Sequence, residues 1–205
     1  MDEISGLAAS RTYPGRYWAM NDSGNHLALH LMDERGQREG SVAVQGAGNV
    51  DWEDLASFEL EGRHYVLAAD TGDNGGIRQE LALYVFEEPA TLDQPAVLAW
   101  TVRLRWPDGP RDCEAVAVDA ARGEVLLVSK KRVPAELFSV PLAASDEVQT
   151  AKLLGTLAGI EQPTTGDLAR SPIYGRYRAQ VTGADLSPNG RVLAVLNYRA
   201  VHFLV

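Results

Sequence analysis

Asp51-Trp52-Glu53-Asp54-Leu55-Ala56 is one of four related segments in this chain. The others are Glu3-Ile4-Ser5-Gly6-Leu7-Ala8, Asp112-Cys113-Glu114-Ala115-Val116-Ala117 and Thr182-Gly183-Ala184-Asp185-Leu186-Ser187. Each couples a polar opening to a short apolar run, and a second apolar strand follows: Tyr17-Trp18-Ala19-Met20, Tyr65-Val66-Leu67-Ala68, Val125-Leu126-Leu127-Val128 and Val192-Leu193-Ala194-Val195. Between them lie Pro14-Gly15, Glu61-Gly62, Arg122-Gly123 and Asn189-Gly190, which supply the positive φ of a tight hairpin. Third strands read at 27–31, 81–86, 136–140 and 201–205, and fourth strands near 41–44, 97–104 and 152–157.

A four-strand unit repeated every ~40–50 residues, with no helix-period segment between copies, is the pattern of blades arranged radially. The expected fold is an all-β β-propeller of four-stranded antiparallel blades, in one domain over 1–205. Its blades fall at about 1–48, 49–106, 107–160 and 178–205, with Leu7, Leu55, Val116 and Leu186 in matching places and 162–180 as loop. A flat sandwich is the competing fold. Three units and three strands of a fourth do not close a ring, so the expectation is part of a five- to seven-bladed ring, completed by further sequence or by another chain.

Composition excludes several function classes. A chain of 205 residues, 45% hydrophobic and 23% charged, has the make-up of a soluble globular domain. A net charge of -9 opposes binding to nucleic acid or anionic lipid, which needs clustered Lys and Arg. Cys113 is the only cysteine, so no intrachain disulfide or thiolate zinc cluster forms, and it reads as a small buried residue. No apolar run reaches the ~18 residues of a membrane span, and the first residues lack the basic region followed by a hydrophobic one that marks a signal peptide, so export would imply a signal already removed. The expected setting is periplasmic or secreted.

In a propeller the first strand of each blade lines the channel. Residues two apart share a face, which groups Glu3 with Ser5, Asp51 with Glu53, and Asp112 with Glu114. Converging carboxylates require a counter-ion, a shared proton or a cationic ligand. Calcium, which takes six to eight oxygen ligands, suits such a set. The plainer reading is that Asp51 and Asp112 cap backbone amides at strand starts.

The ends of the second strands form another column: Asn21-Asp22, Asp70-Thr71-Gly72-Asp73-Asn74, Ser129-Lys130-Lys131 and Asn197-Tyr198-Arg199. Acidic groups on two blades and basic groups on two suit an anionic substrate bridging a metal to Lys130 or Arg199. Asx-turns account for Asn25 and Asn74 more simply. The segment from Asp70 lacks the acid spacing of a helix-flanked calcium loop, and Arg78 is placed to pair with Asp70 or Asp73. Trp18, Trp52, Trp100 and Trp106 read as packing between blades, with ligand stacking the competing role for Trp52.

The segments Ile4-Ser5-Gly6-Leu7-Ala8, Asp51 to Ala56, Cys113 to Ala117 and Val181 to Ser187 resemble those of bacterial propellers of the SdiA-regulated kind. More distantly, the chain is similar to calcium-dependent lactonases and esterase-like phytase propellers. That resemblance implies a metal at the channel centre held by Glu3, Asn21, Glu53, Glu114 and Asp185. Ser5 and Ala184 depart from the pattern, standing where two blades have Glu.

The candidate metal ligands are Glu3, Asn21, Asp22, Asp51, Glu53, Asp70, Asp112, Glu114 and Asp185, with Ca²⁺ as cofactor. The candidate catalytic groups are Glu53 or Glu114 as ligand or base, and Lys130 or Arg199 steadying negative charge. The expected activity is metal-dependent hydrolysis of a small anionic phosphoester or lactone. The alternative is a non-catalytic envelope propeller that binds a protein and carries a structural ion or none.

Overall fold

Both residues of the Glu61-Gly62 turn take positive φ, 52° and 76°. This type I′ geometry matches the twist of two antiparallel strands. In the computed structural model, which describes residues 4–22 and 26–205, the turn joins β5 (Trp52–Leu60) to β6 (Arg63–Asp70). β7 (Leu81–Glu87) and β8 (Ala96–Arg105) complete an antiparallel sheet in the order β5-β6-β7-β8.

The same up-and-down order recurs. The first blade is β1 (Ile4–Ala9), β2 (Tyr17–Asn21), β3 (Ala28–Met32) and β4 (Arg38–Gln45). The third is β9 (Cys113–Asp119), β10 (Glu124–Ser129), β11 (Glu136–Pro141) and β13 (Lys152–Thr156). The fourth has three strands: β14 (Val181–Leu186), β15 (Leu193–Asn197) and β16 (Val201–Leu204). Short parallel bridges tie outer edges together, β4 to β8 at Val44 and Ala96, and the two-residue β12 (Gln149–Thr150) to β8.

This is a β-propeller, and its core lies between blades rather than inside one sheet. Three apolar clusters fill the three inter-blade spaces. Trp18, Met20 and Leu29 meet Leu55, Val66 and Ala68 between the first two blades. Leu67, Leu83 and Val85 meet Val116, Leu127 and Phe138 between the second and third. Ala115, Ala117 and Val128 meet Val181, Leu193 and Val195 between the third and fourth. A strand buried on both faces reads as a continuous apolar run, which is why Val66-Leu67-Ala68-Ala69 shows no alternation.

The tryptophans serve this packing. Trp18, Trp52, Trp100 and Trp106 donate their indole N–H groups to Glu88 and to the carbonyls of Gly48, Leu142 and Arg111. Trp52 is 1% exposed and offers no ring face to a ligand. Cys113 is fully buried.

Two expectations need correction. Residues 162–180 are not simple loop: α1 (Thr165–Arg170) and α2 (Tyr174–Tyr177) lie there. Thr164 and Asp167 form a reciprocal capping box at the start of α1, but six residues are too few to show helical periodicity. The fourth blade is also aligned two residues out. Val181 pairs with Asn197 as Cys113 pairs with Ser129, so Ala184, not Leu186, matches Leu55 and Val116.

Candidate metal centre in the channel

Every inner strand carries a β-bulge at the same place. Register shifts between Ile4 and Gly6, Trp52 and Asp54, Cys113 and Ala115, and Val181 and Gly183. The extra, unpaired residues are Ser5, Glu53, Glu114 and Thr182. Bulges bend a strand and re-aim the extra side chain, and all four residues line one cavity of about 710 Å³. Thr182 therefore holds the fourth-blade position for which the sequence reading offered Ala184.

Glu53 sits at the centre of the acidic groups. Its carboxylate oxygen lies within 4.8 Å of ligand oxygens of Asp22 and Asp51 on one side, and of Asp112 and Glu114 on the other. Ser5 Oγ donates to Glu53 Oε2 at 3.3 Å. Glu53 is 5% exposed, and burial together with Glu114, Asp51, Asp22 and Asp112 pushes its carboxyl up to about 9. Like charges this close raise the cost of ionising any one of them.

Gly72 makes the crowding feasible. A Cβ there would stand 2.3 Å from Asp51 Oδ2 and 2.4 Å from Glu53 Oε1. Its amide donates to the Asp51 carbonyl at 3.1 Å, which fixes the loop after β6 against the start of β5.

The basic residues at the ends of the second strands engage the third-blade acids. Lys130 donates to Glu114 Oε1, and Lys131 pairs with Asp112 Oδ2 at 2.9 Å while donating to Asn74 Oδ1 at 2.8 Å. Burial raises the Glu114 carboxyl against the opposing pull of Lys130. Burial lowers the Lys130 ammonium, but Glu114 outweighs it, so the net direction is up. Asp112 Oδ1 also accepts from the Asp73 amide at 2.8 Å.

The remaining candidates fall elsewhere. Asp70 is buried and spent on structure, accepting from the Val50 and Asp51 amides and pairing with Arg78 at 2.8 Å, so it positions Asp51 instead of joining either trio. Asp185 lines the cavity wall, where its Oδ1 accepts from the Leu186 amide at 2.8 Å. Arg199 pairs with Glu161 at 2.8 Å, and its neighbour Tyr198 faces the cavity in the column of Asp22 and Lys130. Asn21 stands at the end of β2 with a buried Oδ1 that has no hydrogen-bond partner among the described groups. Glu3 lies outside the described residues.

One residue of the decisive segment escaped the sequence reading. Asp54 is fully enclosed and accepts the Leu55 amide on Oδ1 at 2.9 Å, and the Val116 and Ala184 amides on Oδ2 at 2.8 and 3.3 Å. These donors are equivalent residues of three successive inner strands, each two positions beyond its bulge. Burial pushes the carboxyl well above its usual range while the three amides pull it down. The sequence signal was Asp at a position where the other blades have Gly6, Ala115 and Gly183.

No family model and no curated protein matches the chain. Solved structures do. A structural-genomics protein of unknown function from Bacteroides thetaiotaomicron is 12% identical with a TM-score of 0.52, over 99% of this chain and 41% of its own. The β-propeller domain of Cps50 (Swd1) from Myceliophteria thermophila is 12% identical, TM-score 0.46, over 95% of this chain and 48% of its own. Hydrazine synthase of Kuenenia stuttgartiensis is 10% identical, TM-score 0.47, over 95% and 43%. The chain spans less than half the length of these proteins. At such identities likeness speaks to fold alone, and the blade order establishes that fold: the chain forms blades of a β-propeller.

Proposed function

We propose that the channel binds a divalent cation, calcium by the chemistry of its donors, at the carboxylates gathered around Glu53. The observation that supports this is Glu53 itself, buried and within ligand-sharing distance of four other carboxylates on three blades. Near neutral pH an acid pushed up to about 9 holds a proton, and a cation replaces that proton with better compensation.

The residues present fit the ion. Every clustered donor is a carboxylate oxygen, with no imidazole or thiolate among them, which is the set a hard cation selects. Asp22, Asp51 and Glu53 would hold it, with Glu114 and Asp112 adjoining. The second trio is partly compensated by Lys130 and Lys131, which favours the first. When bound, calcium supplies charge neutralisation and a Lewis-acidic centre beside the cavity.

The cavity leaves one side of the cluster open, which supports a second reading, hydrolysis of a small phosphoester or lactone. Here Glu114, or Glu53 once a cation has displaced its proton, would accept a proton from water. Lys130 is already tied to Glu114 and Arg199 to Glu161, so anion stabilisation would require one of these pairs to open. Cation binding with a structural or ligand-recruiting role is therefore the leading function. No helix of the described residues is long and apolar enough to cross a membrane, and the proposed setting remains periplasmic or secreted.

The test is thermal stability against Ca²⁺ and EDTA, with Glu53→Gln and Glu114→Gln alongside. A saturable rise in Tm, abolished by Glu53→Gln and weakened by Glu114→Gln, supports the site. No response to calcium, magnesium or manganese refutes it.

A further inference from the structure

The dipeptide Asn-Gly occurs twice in this chain, at Asn74-Gly75 and at Asn189-Gly190. It is the pair most open to attack by the backbone on a side-chain amide, because a glycine without Cβ lets its nitrogen swing onto the asparagine carbonyl carbon. The fold treats the two copies differently. In the hairpin between β14 and β15 the Gly190 amide donates to the Ser187 carbonyl at 2.8 Å, and Asn189 Oδ1 accepts from Ser187 Oγ at 2.8 Å and from the Arg191 amide at 3.1 Å. Nucleophile and target are both tied into that turn. In the loop between β6 and β7 the bond that closes the turn falls one residue later, from the Gly76 amide to the Asp73 carbonyl at 2.9 Å, and the Gly75 amide donates to nothing among the described residues. Asn74 and Gly75 are both exposed. Lys131 Nζ donates to Asn74 Oδ1 at 2.8 Å, and an ammonium there draws electron density from the carbon to be attacked.

We infer that Asn74 is a site of spontaneous deamidation in the folded protein and that Asn189 is not. The Gly75 nitrogen bonds to Asn74 Cγ, the bond from Cγ to Nδ2 breaks, and the amide leaves as ammonia with the proton that Gly75 gives up. Water then opens the cyclic imide at either carbonyl, leaving aspartate or isoaspartate; nothing is oxidised or reduced. The product gains meaning from its place. Asn74 lines the cavity with Asp22, Glu53 and Glu114, and its partner Lys131 also stands 2.9 Å from Asp112 Oδ2. Conversion adds a carboxylate to this rim and sets it against Asp112 for one ammonium, so the channel mouth grows more acidic as the molecule ages.

The test is incubation of the folded chain in mildly alkaline buffer, then digestion with an acid-active protease and peptide mass mapping over time. The peptide carrying Asn74 should gain the mass of an amide-to-acid conversion and elute as two products, while the peptide carrying Asn189 stays unchanged. In urea both should convert at similar rates, which makes the fold the cause of the difference. Gly75 does not take a positive φ, and beyond its chain neighbours no heavy atom comes nearer than 3.7 Å to the place of a Cβ. Gly75→Ala should therefore fold, as circular dichroism can verify, and slow the conversion about tenfold by restricting the backbone. Equal rates at the two asparagines of the folded chain overturn the inference. So does an Asn74 that converts only in urea, or a folded Gly75→Ala chain that converts as fast as the wild type.

Discussion

Replacing Asp54 with Ala removes the one acceptor shared by β5, β9 and β14. Three amides then lose their partner, at 2.9, 2.8 and 3.3 Å in the native protein. Val116 is fully buried, so water cannot replace the lost bond without opening the inter-blade cluster. A stranded buried donor costs about 1–3 kcal/mol, and two of these donors belong to other blades. Against this, the substitution relieves the carboxylate's own burial, which is why its carboxyl is pushed up. The net expectation is ~3 kcal/mol, or about 6–12 °C in Tm for a chain of this size. Asp54→Asn keeps one acceptor oxygen and should lose about half as much.

Urea melts give the free energy, and hydrogen exchange read by mass spectrometry localises it. Peptides covering Val116 and Ala184 should exchange faster in Asp54→Ala, with β14 affected although it lies 130 residues away from Asp54 in sequence. A loss below ~1 kcal/mol, or faster exchange confined to β5, would refute the shared-acceptor argument.

Glu53 carries a pH dependence. Its carboxyl stands at about 9 when folded against 4.5 unfolded, so the unfolded chain releases this proton first and cation-free stability falls as pH rises between those values. Glu53→Gln should remove that slope and be the more stable protein near the upper value without calcium; parallel wild-type and variant curves would contradict the assignment. Gly72→Ala puts a methyl among Asp51 and Glu53 oxygens, which must move apart. Calcium affinity measured by titration calorimetry should drop about tenfold or more with little change in apo stability, since the displaced atoms are side-chain ends. Cys113 is buried, and burial pushes its thiol up to about 12, so iodoacetamide should label it only at the rate of unfolding. Rapid labelling of folded protein would show that the second and third blades part readily.

The recurrence of short apolar strands with Gly-bearing turns determined the architecture without coordinates. A hairpin is a local object, and the Glu61-Gly62 turn takes the two positive φ values that its residues imply. The acidic column was legible for the same reason: Glu53 and Glu114 follow equivalent strand starts, and Asp22 and Asp51 flank them. Tertiary structure decided the rest, because a bulge inserts a residue without leaving a mark in composition. Four bulges turned Ser5, Glu53, Glu114 and Thr182 into the channel, and strand pairing placed Ala184, not Leu186, at the position of Leu55 and Val116. Only packing separated Asp70, spent on Arg78 and two amides, from Asp51, which stands among the clustered acids. Only packing revealed Asp54 as an acceptor for three blades, since hydrogen bonds between residues 62 and 130 apart follow from how blades stack around an axis. Sequence fixes which side chains are available; the ring geometry fixes which of them share one small volume, and there electrostatics decides the chemistry.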